Sequence, residues 1–268
     1  MSDTRKRETR RLALARRLTL SLSAVLVFAS LGSAFAQRYS TGREVMDAVA
    51  DQNAPATTIA TLTMTITAGS GHSLTREMQI WSTTEGPRQL IKFTAPADVR
   101  GSGFMSLSKE DGSSESWIYL PALGRVRRVA GGQEQDAFFG SDFSYEEISG
   151  LSSGSDDDFS YELLRVEDGP VYVVAGTPTA GSSSSYERIV YFVPEELLLP
   201  TRIEFYAGGA LRKLMTIGDT VVQDGFLLPT TIRMETVSAG SSTTLVQTGF
   251  QLDVEIQDEV FSERFLSR

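Results

Sequence analysis

The chain has 268 residues, room for one large domain or two small ones, and its 41% hydrophobic and 22% charged content suits a buried core rather than a disordered polymer. It contains no Cys and a single His, His72, which excludes disulfide scaffolds, thiolate metal sites, cysteine nucleophiles and multi-histidine metal centres. The net charge is −9, and residues 1–36 hold seven Lys+Arg against two Asp+Glu, so the remainder carries 18 against 32, a net of −14 that repels nucleic acid and anionic membrane surfaces.

Those first thirty-six residues read as a secretory signal peptide. Arg5, Lys6, Arg7, Arg10, Arg11, Arg16 and Arg17 form a basic region, residues 18–31 are apolar, and Ala34-Phe35-Ala36 supplies a small-residue cleavage site before Gln37. Fourteen mostly apolar residues fall short of the ~20 that span a bilayer, and no later stretch is longer, so the expectation is a soluble protein of an exported compartment, cleaved after Ala36, with residues 37–268 as one domain.

A helix opens that domain, with Ser40 or Thr41 as its cap, Glu44 as a capping-box partner, and Val45, Met46, Val49 and Ala50 at helical spacing before Pro55. The period then changes to two. Residues 57–67 alternate polar residues with Ala60, Leu62, Met64 and Ile66, and similar runs follow at 73–83, 88–94, 104–109, 115–120 and 125–130, joined by Gly- and Ser-rich turns. Acidic and Gly/Ser-rich sequence interrupts the pattern from 131 to 158 around Phe138, Phe139 and Phe143, reading as a long loop with a helical turn at 145–151. Strands resume at 161–167, 171–176, 186–193, 200–206, 211–222, 228–237 and 243–255, and residues 258–268 read as a short helix carrying Val260, Phe261 and Phe265. The fold class is mostly β: one antiparallel domain, a barrel or strongly curved sheet.

Candidate inner-face residues are Leu62, Met64, Ile66, Met78, Ile80, Ile91, Phe93, Met105, Leu107, Trp117 and Tyr119. They line either a packed core or an apolar cavity, which periodicity does not distinguish. Enzyme signatures are missing: there is no G-x-S-x-G elbow, no H-E-x-x-H, no P-loop and no dinucleotide fingerprint. His72 sits in a Gly-rich turn and suits a solvated residue, and the Asp156-Asp157-Asp158 run lacks the spacing of a calcium loop. No residue is assigned a catalytic role, and neither metal nor cofactor is expected. One charge feature is unusual in so acidic a chain. Arg125, Arg127 and Arg128 follow an aromatic strand, and they either meet an anionic headgroup or acidic partner or pair with Asp136, Asp142, Glu146 and Glu147; on a strand, Arg125 and Arg127 share one face and Arg128 takes the other.

Four ordered segments carry a family resemblance. Leu90-Ile91-Lys92-Phe93, residues 96–104 (PADVRGSGF), residues 117–128 (WIYLPALGRVRR) and residues 139–147 (FGSDFSYEE) resemble the successive motifs of the outer-membrane lipoprotein-sorting, LolA-like family. The resemblance implies an incomplete antiparallel barrel with short helices plugging its open side and an apolar interior for acyl chains. It further implies a soluble Gram-negative periplasmic protein that carries lipid or lipoprotein between inner and outer membranes, often beside an inner-membrane exporter and an outer-membrane acceptor. Phe138, Phe139 and Phe143 would then belong either to a mobile lid over the ligand or to a permanent plug. An adaptor that docks an envelope complex through the 121–128 hairpin, carrying no lipid, is the alternative of a different class.

Overall fold

A computed structural model describes residues 37–109, 114–151, 158–180, 182 and 184–268; the signal segment, the turn at 111–113 and the acidic run at 156–157 lie outside the described residues. Helix α1 (Gly42–Ala50) is capped by Thr41, whose hydroxyl accepts from the Glu44 amide at 3.2 Å, while the Glu44 carboxylate accepts from the Thr41 amide at 3.1 Å. A reciprocal box of this kind satisfies amides that the first turn leaves unpaired.

Fifteen strands follow among the described residues. The first six, β1 (Thr57–Thr67), β2 (Ser73–Thr83), β3 (Arg88–Ala95), β4 (Gly103–Ser108), β5 (Ser114–Leu120) and β6 (Arg125–Val129), form one meander. A second meander comprises β7 (Phe159–Glu167), β8 (Val171–Pro178), β9 (Arg188–Pro194), β10 (Arg202–Ala207), β11 (Ala210–Ile217), β14 (Thr231–Thr236) and β15 (Ser241–Leu252). Antiparallel pairing of β1 with β15 joins the two into a single thirteen-stranded sheet whose edges are β6 and β7. The run read from sequence as one strand over 211–222 divides at Gly218-Asp219, and that over 228–237 divides after Pro229. Between the breaks, β12 (Thr220–Gln223) and β13 (Phe226–Pro229) leave the main sheet as a separate hairpin. Asp224 and Gly225 turn it, both with positive φ (53° and 86°), the geometry that two-residue hairpins favour.

The sheet curls without closing. In a flat sheet with strands ~4.8 Å apart, β4 and β9 would lie about 40 Å from each other, yet Phe104 of β4 and Ile189 of β9 belong to one contiguous buried cluster. Register shifts in the β1–β15, β2–β3, β7–β8 and β10–β11 pairs add local twist at four places around the curl. After edge strand β6, the described residues 130–151 lie across the inner face. They contain two 3-10 turns (Gly131–Gln135 and Phe138–Gly140) and helix α2 (Tyr145–Gly150), more regular structure than the single helical turn expected.

Two elements complete the cover. Helix α1 sets Val45 and Met46 against Tyr172, Val174 and Val193 of the β8–β9 end. It approaches so closely that a Cβ on Gly42 would sit 2.6 Å from the Glu162 carbonyl carbon. On the outer face the chain ends in a 3-10 turn (Asp258–Phe261) and helix α3 (Glu263–Leu266), rather than in one helix over 258–268. A Cβ on Gly103 would meet Leu266 Cδ1 at 2.7 Å, so the last helix also needs a glycine beneath it. Among the described residues, no helix is long and apolar enough to cross a membrane.

Candidate functional site: the plugged inner face

Residues paired across neighbouring strands share a face of the sheet, and the register therefore sorts the apolar side chains without ambiguity. One row runs Ile80, Ile91, Phe104, Ile118 across β2 to β5 and ends at Arg127 on β6. Another runs from Ile66 on β1 through Thr243, Met234, Met215, Ile203, Tyr191 and Val174 to Leu163 on β7. Together with Leu62, Met64, Met78 and Phe93, these rows make the inner face.

Residues 138–148 fill it. Phe138 and Phe143 are fully buried. Phe138 stacks 6.1 Å from Phe93 and meets Phe104 edge-on at 5.5 Å, Phe139 lies 4.4 Å from Phe93, and Tyr145 packs 5.6 Å from Phe104. Aromatic pairs at such separations contribute about 0.5–1.5 kcal/mol each beyond the area they bury.

Polar side chains tie this plug to three parts of the wall. On β2, Arg76 points inward opposite Met64 and donates to the Phe139 carbonyl, which is held in a left-handed backbone conformation (φ 48°). Burial lowers the pKa of this guanidinium against the opposing charge of Asp98, and its Nε is buried with no hydrogen-bond partner among the described residues. On β15, the buried Asp142 accepts from the hydroxyls of Ser241 and Thr243, the latter at 2.7 Å, and its own amide donates to Thr243 Oγ1 at 2.9 Å. At the second meander, Glu147 of α2 accepts from Lys213 Nζ at 2.8 Å and from the Tyr186 hydroxyl, while also capping its own helix through the Ser144 amide at 2.7 Å. Burial, reinforced by the Glu147 charge, drives the Tyr186 phenol far above its ordinary range. Burial likewise raises Glu146, which accepts from Ser185 Oγ at 3.1 Å, and Tyr145.

The structure divides the residues singled out in the sequence. Leu62, Met64, Ile66, Met78, Ile80, Ile91 and Phe93 share the inner face with Phe138, Phe139 and Phe143. Met105, Leu107, Trp117 and Tyr119 do not: they lie on the outer face with Trp81, Leu90 and Val126, beneath Phe261, Phe265 and Leu266. The register is the physical reason. Leu90 pairs with Met105 and Met105 with Trp117, one residue out of step with the inner row through Ile91, Phe104 and Ile118. Both faces of this half-sheet are apolar because both are covered, so hydrophobicity alone does not separate them. Phe104, Ile118, Arg76 and the whole second wall, Tyr186, Ile189, Phe205, Met215, Ile232, Met234 and Leu245, join the inner cluster and were not singled out from the sequence.

The three arginines also part company. Arg128 pairs with Glu115 at 2.6 Å, a carboxylate that Lys109 approaches at 2.9 Å. Arg125 is exposed, and Arg127 opens on a small cleft beside the plug. Among the described residues none forms an ion pair with the acidic residues of the following loop: Asp142 and Glu147 are engaged with the wall, Glu146 accepts from Ser185, and Asp136 shares the cleft with Arg127 without pairing. His72 is exposed in the β1–β2 turn.

Residues 85–268 match a family model described as an uncharacterized protein. The chain belongs to this family. Among solved structures it is similar to a DUF1329 family protein from Desulfovibrio piger, with 28% identity over 85% of this chain and 100% of that one at a TM-score of 0.77. It is equally similar to a putative outer membrane lipoprotein-sorting protein domain from Vibrio parahaemolyticus, with 28% identity, 85% and 98% coverage and a TM-score of 0.76. A LolA superfamily protein from Nitrosomonas europaea shares the fold at 18% identity, 85% and 100% coverage and a TM-score of 0.68. No curated protein matches the sequence. The lipoprotein-sorting resemblance and the open, antiparallel, mostly β fold expected from it are thus both found.

Proposed function

We propose that the protein is a soluble periplasmic carrier of a lipid or lipidated cargo, exported by a signal peptide that is removed after Ala36. Its ligand site is the inner face, Leu62, Met64, Ile66, Met78, Ile80, Ile91 and Phe93 with Phe104, once the plug bearing Phe138, Phe139 and Phe143 has moved aside. One observation carries this reading: an inner face that is apolar along the sheet is covered by a segment tied to it through side-chain polar contacts. Such a cover can exchange for acyl chains, each CH₂ of which gains ~0.8 kcal/mol on leaving water. Unbranched Met64, Met78, Met215 and Met234 suit a surface that must repack around chains of different shape. No catalysis is needed; cargo moves by relative affinity from an inner-membrane exporter, through the carrier, to an outer-membrane acceptor.

The test is native mass spectrometry with solvent extraction on protein isolated without detergent, before and after incubation with envelope lipids. A stoichiometric lipid adduct, lost in an Ile91→Glu variant that still folds, is the expected result. The burial of Phe138 and Phe143 favours a second reading, in which the plug is permanent and the protein docks an envelope complex without cargo. A clean apo mass under all conditions would select it.

A further inference from the structure

The inner row of Ile80, Ile91, Phe104 and Ile118 ends at Arg127, on the edge strand β6. There the side chain lines a cleft of about 240 Å³ together with Ile118, Arg128, Val129, Asp136 and Tyr145. Arg127 is exposed and makes no ion pair among the described residues, unlike its neighbour Arg128. The floor of the cleft is the outer skin of the buried cluster: Ile118 packs against that cluster, and the Tyr145 ring lies 5.5 Å from Phe138. The cleft is therefore next to the plug, at the rim of the face the plug covers.

Its size and charge narrow what fits. At about 240 Å³ it falls below the ~300–1,000 Å³ of pockets that enclose a whole ligand, but it is ample for a single polar headgroup. Two arginines and one carboxylate line it, but Arg128 is already paired with Glu115 at 2.6 Å, which leaves Arg127 and Asp136 to meet a ligand, and the Tyr145 hydroxyl feels both in opposite senses. A simple anion gains from Arg127 and is opposed by Asp136, and a simple cation meets the reverse. A group with both charges a few bonds apart satisfies the two together, its phosphate on the guanidinium and its ammonium on the carboxylate.

We propose that this cleft seats the headgroup of an amphiphile carrying a phosphate and a primary amine, with its acyl chains directed past Tyr145 onto the inner face. The inference rests on the carrier reading and names the class of cargo. To test it, the purified protein is incubated with vesicles of equal parts phosphatidylethanolamine and phosphatidylglycerol, re-isolated, and its bound lipid identified by native mass spectrometry. The expected result is an ethanolamine lipid excess of about tenfold in the wild type. Arg127→Gln should lower loading of that lipid by about tenfold, and Asp136→Asn should erase the preference while still loading lipid. Both side chains are exposed, so neither variant should shift the thermal midpoint. Lipid loading without headgroup preference, or a preference that survives both substitutions, overturns the cleft assignment and leaves the carrier standing. A wild type that loads neither lipid overturns both. Free phosphoethanolamine competing as well as the intact lipid would show a site for a soluble phosphate compound and sink the headgroup assignment.

Discussion

Two segments of this chain perform the same task, covering an apolar face of the sheet, and they differ in where their ion pairs lie: at the surface on one cover, buried on the other. On the outer face, the C-terminal residues Val260, Phe261, Phe265 and Leu266 lie against Trp81, Leu90, Met105 and Trp117, fastened by Lys92 Nζ donating to the Leu266 carbonyl at 2.6 Å and, at the surface, by the Arg88–Asp258 ion pair at 2.7 Å, whose Asp258 side chain is 89% exposed. On the inner face, the plug contributes apolar rings but is also held by Arg76, Asp142 and the Glu147–Lys213 pair. The difference matters when the covers lift. Charged groups drawn out of the protein regain hydration, which offsets much of what the contact contributed, whereas exposed apolar rings regain nothing. The plug is thus the cover suited to opening in water, and the C-terminal segment the one suited to staying shut.

Breaking the plug's buried ion pair should give the largest effect. The Glu147 side chain is 3% exposed and that of Lys213 18%. Glu147→Ala leaves the ammonium and the Tyr186 hydroxyl without their partner and should cost about 3–5 kcal/mol in urea unfolding. It should also raise binding of a hydrophobic dye and speed lipid uptake; lost stability with unchanged uptake would mean that the plug does not gate the inner face. Leu266→Ala, at a fully buried position, should cost about 2–5 kcal/mol and leave lipid uptake unchanged. Equal acceleration of uptake by both variants would erase the distinction between the covers. Gly42→Ala sharpens it from a third place: the added Cβ collides with the backbone of β7 and should cost about 1–3 kcal/mol, read as a lowered thermal midpoint with uptake again unaltered.

The sequence made the strands legible because most of them alternate. Over 57–67 and 73–83 the expected and observed bounds coincide, since Thr and other polar residues on the outer face set off Leu62, Met64 and Met78 on the inner one. That contrast fails in β3 to β5, where Leu90 and Ile91 are both buried on opposite faces. Met105, Leu107, Trp117 and Tyr119 were placed on the wrong side for this reason: only the pairing register, which no local pattern encodes, assigns them. Phe205, Met215 and Met234 showed the same alternation as the first wall, and nothing in their own segments says that the sheet curls far enough to bring the two walls together. The β12–β13 hairpin was not singled out, because the runs 211–222 and 228–237 each read as one continuous strand. Arg76 sits in a strand of mixed polarity and was not singled out, because its partner is a backbone carbonyl supplied by a segment sixty-three residues away.

The smallest expected effect is a pH dependence, and its sign follows from Glu146. Burial raises the pKa of this carboxyl above its ordinary value of 4.5, with the hydrogen bonds from Ser185 and Ser184 acting the other way and the charge of Glu147 adding to the rise. Between the unfolded value and the raised folded one, the folded protein binds more protons than the unfolded chain, so stability falls as pH rises through that window and is level above it. Glu146→Gln carries no titrating group and should flatten this part of the profile, measured as thermal midpoint against pH from 4 upward, while the wild type slopes downward. Lys213 and the Tyr186 hydroxyl bond to the neighbouring Glu147, although the Tyr186 phenol also feels the Glu146 charge. The slope therefore belongs to the plug's outer carboxyl, and a variant that keeps the full wild-type slope would move the titration elsewhere. If the plug is the cover that opens, the same window should show faster lipid uptake at its upper end in the wild type and no such gradient in Glu146→Gln.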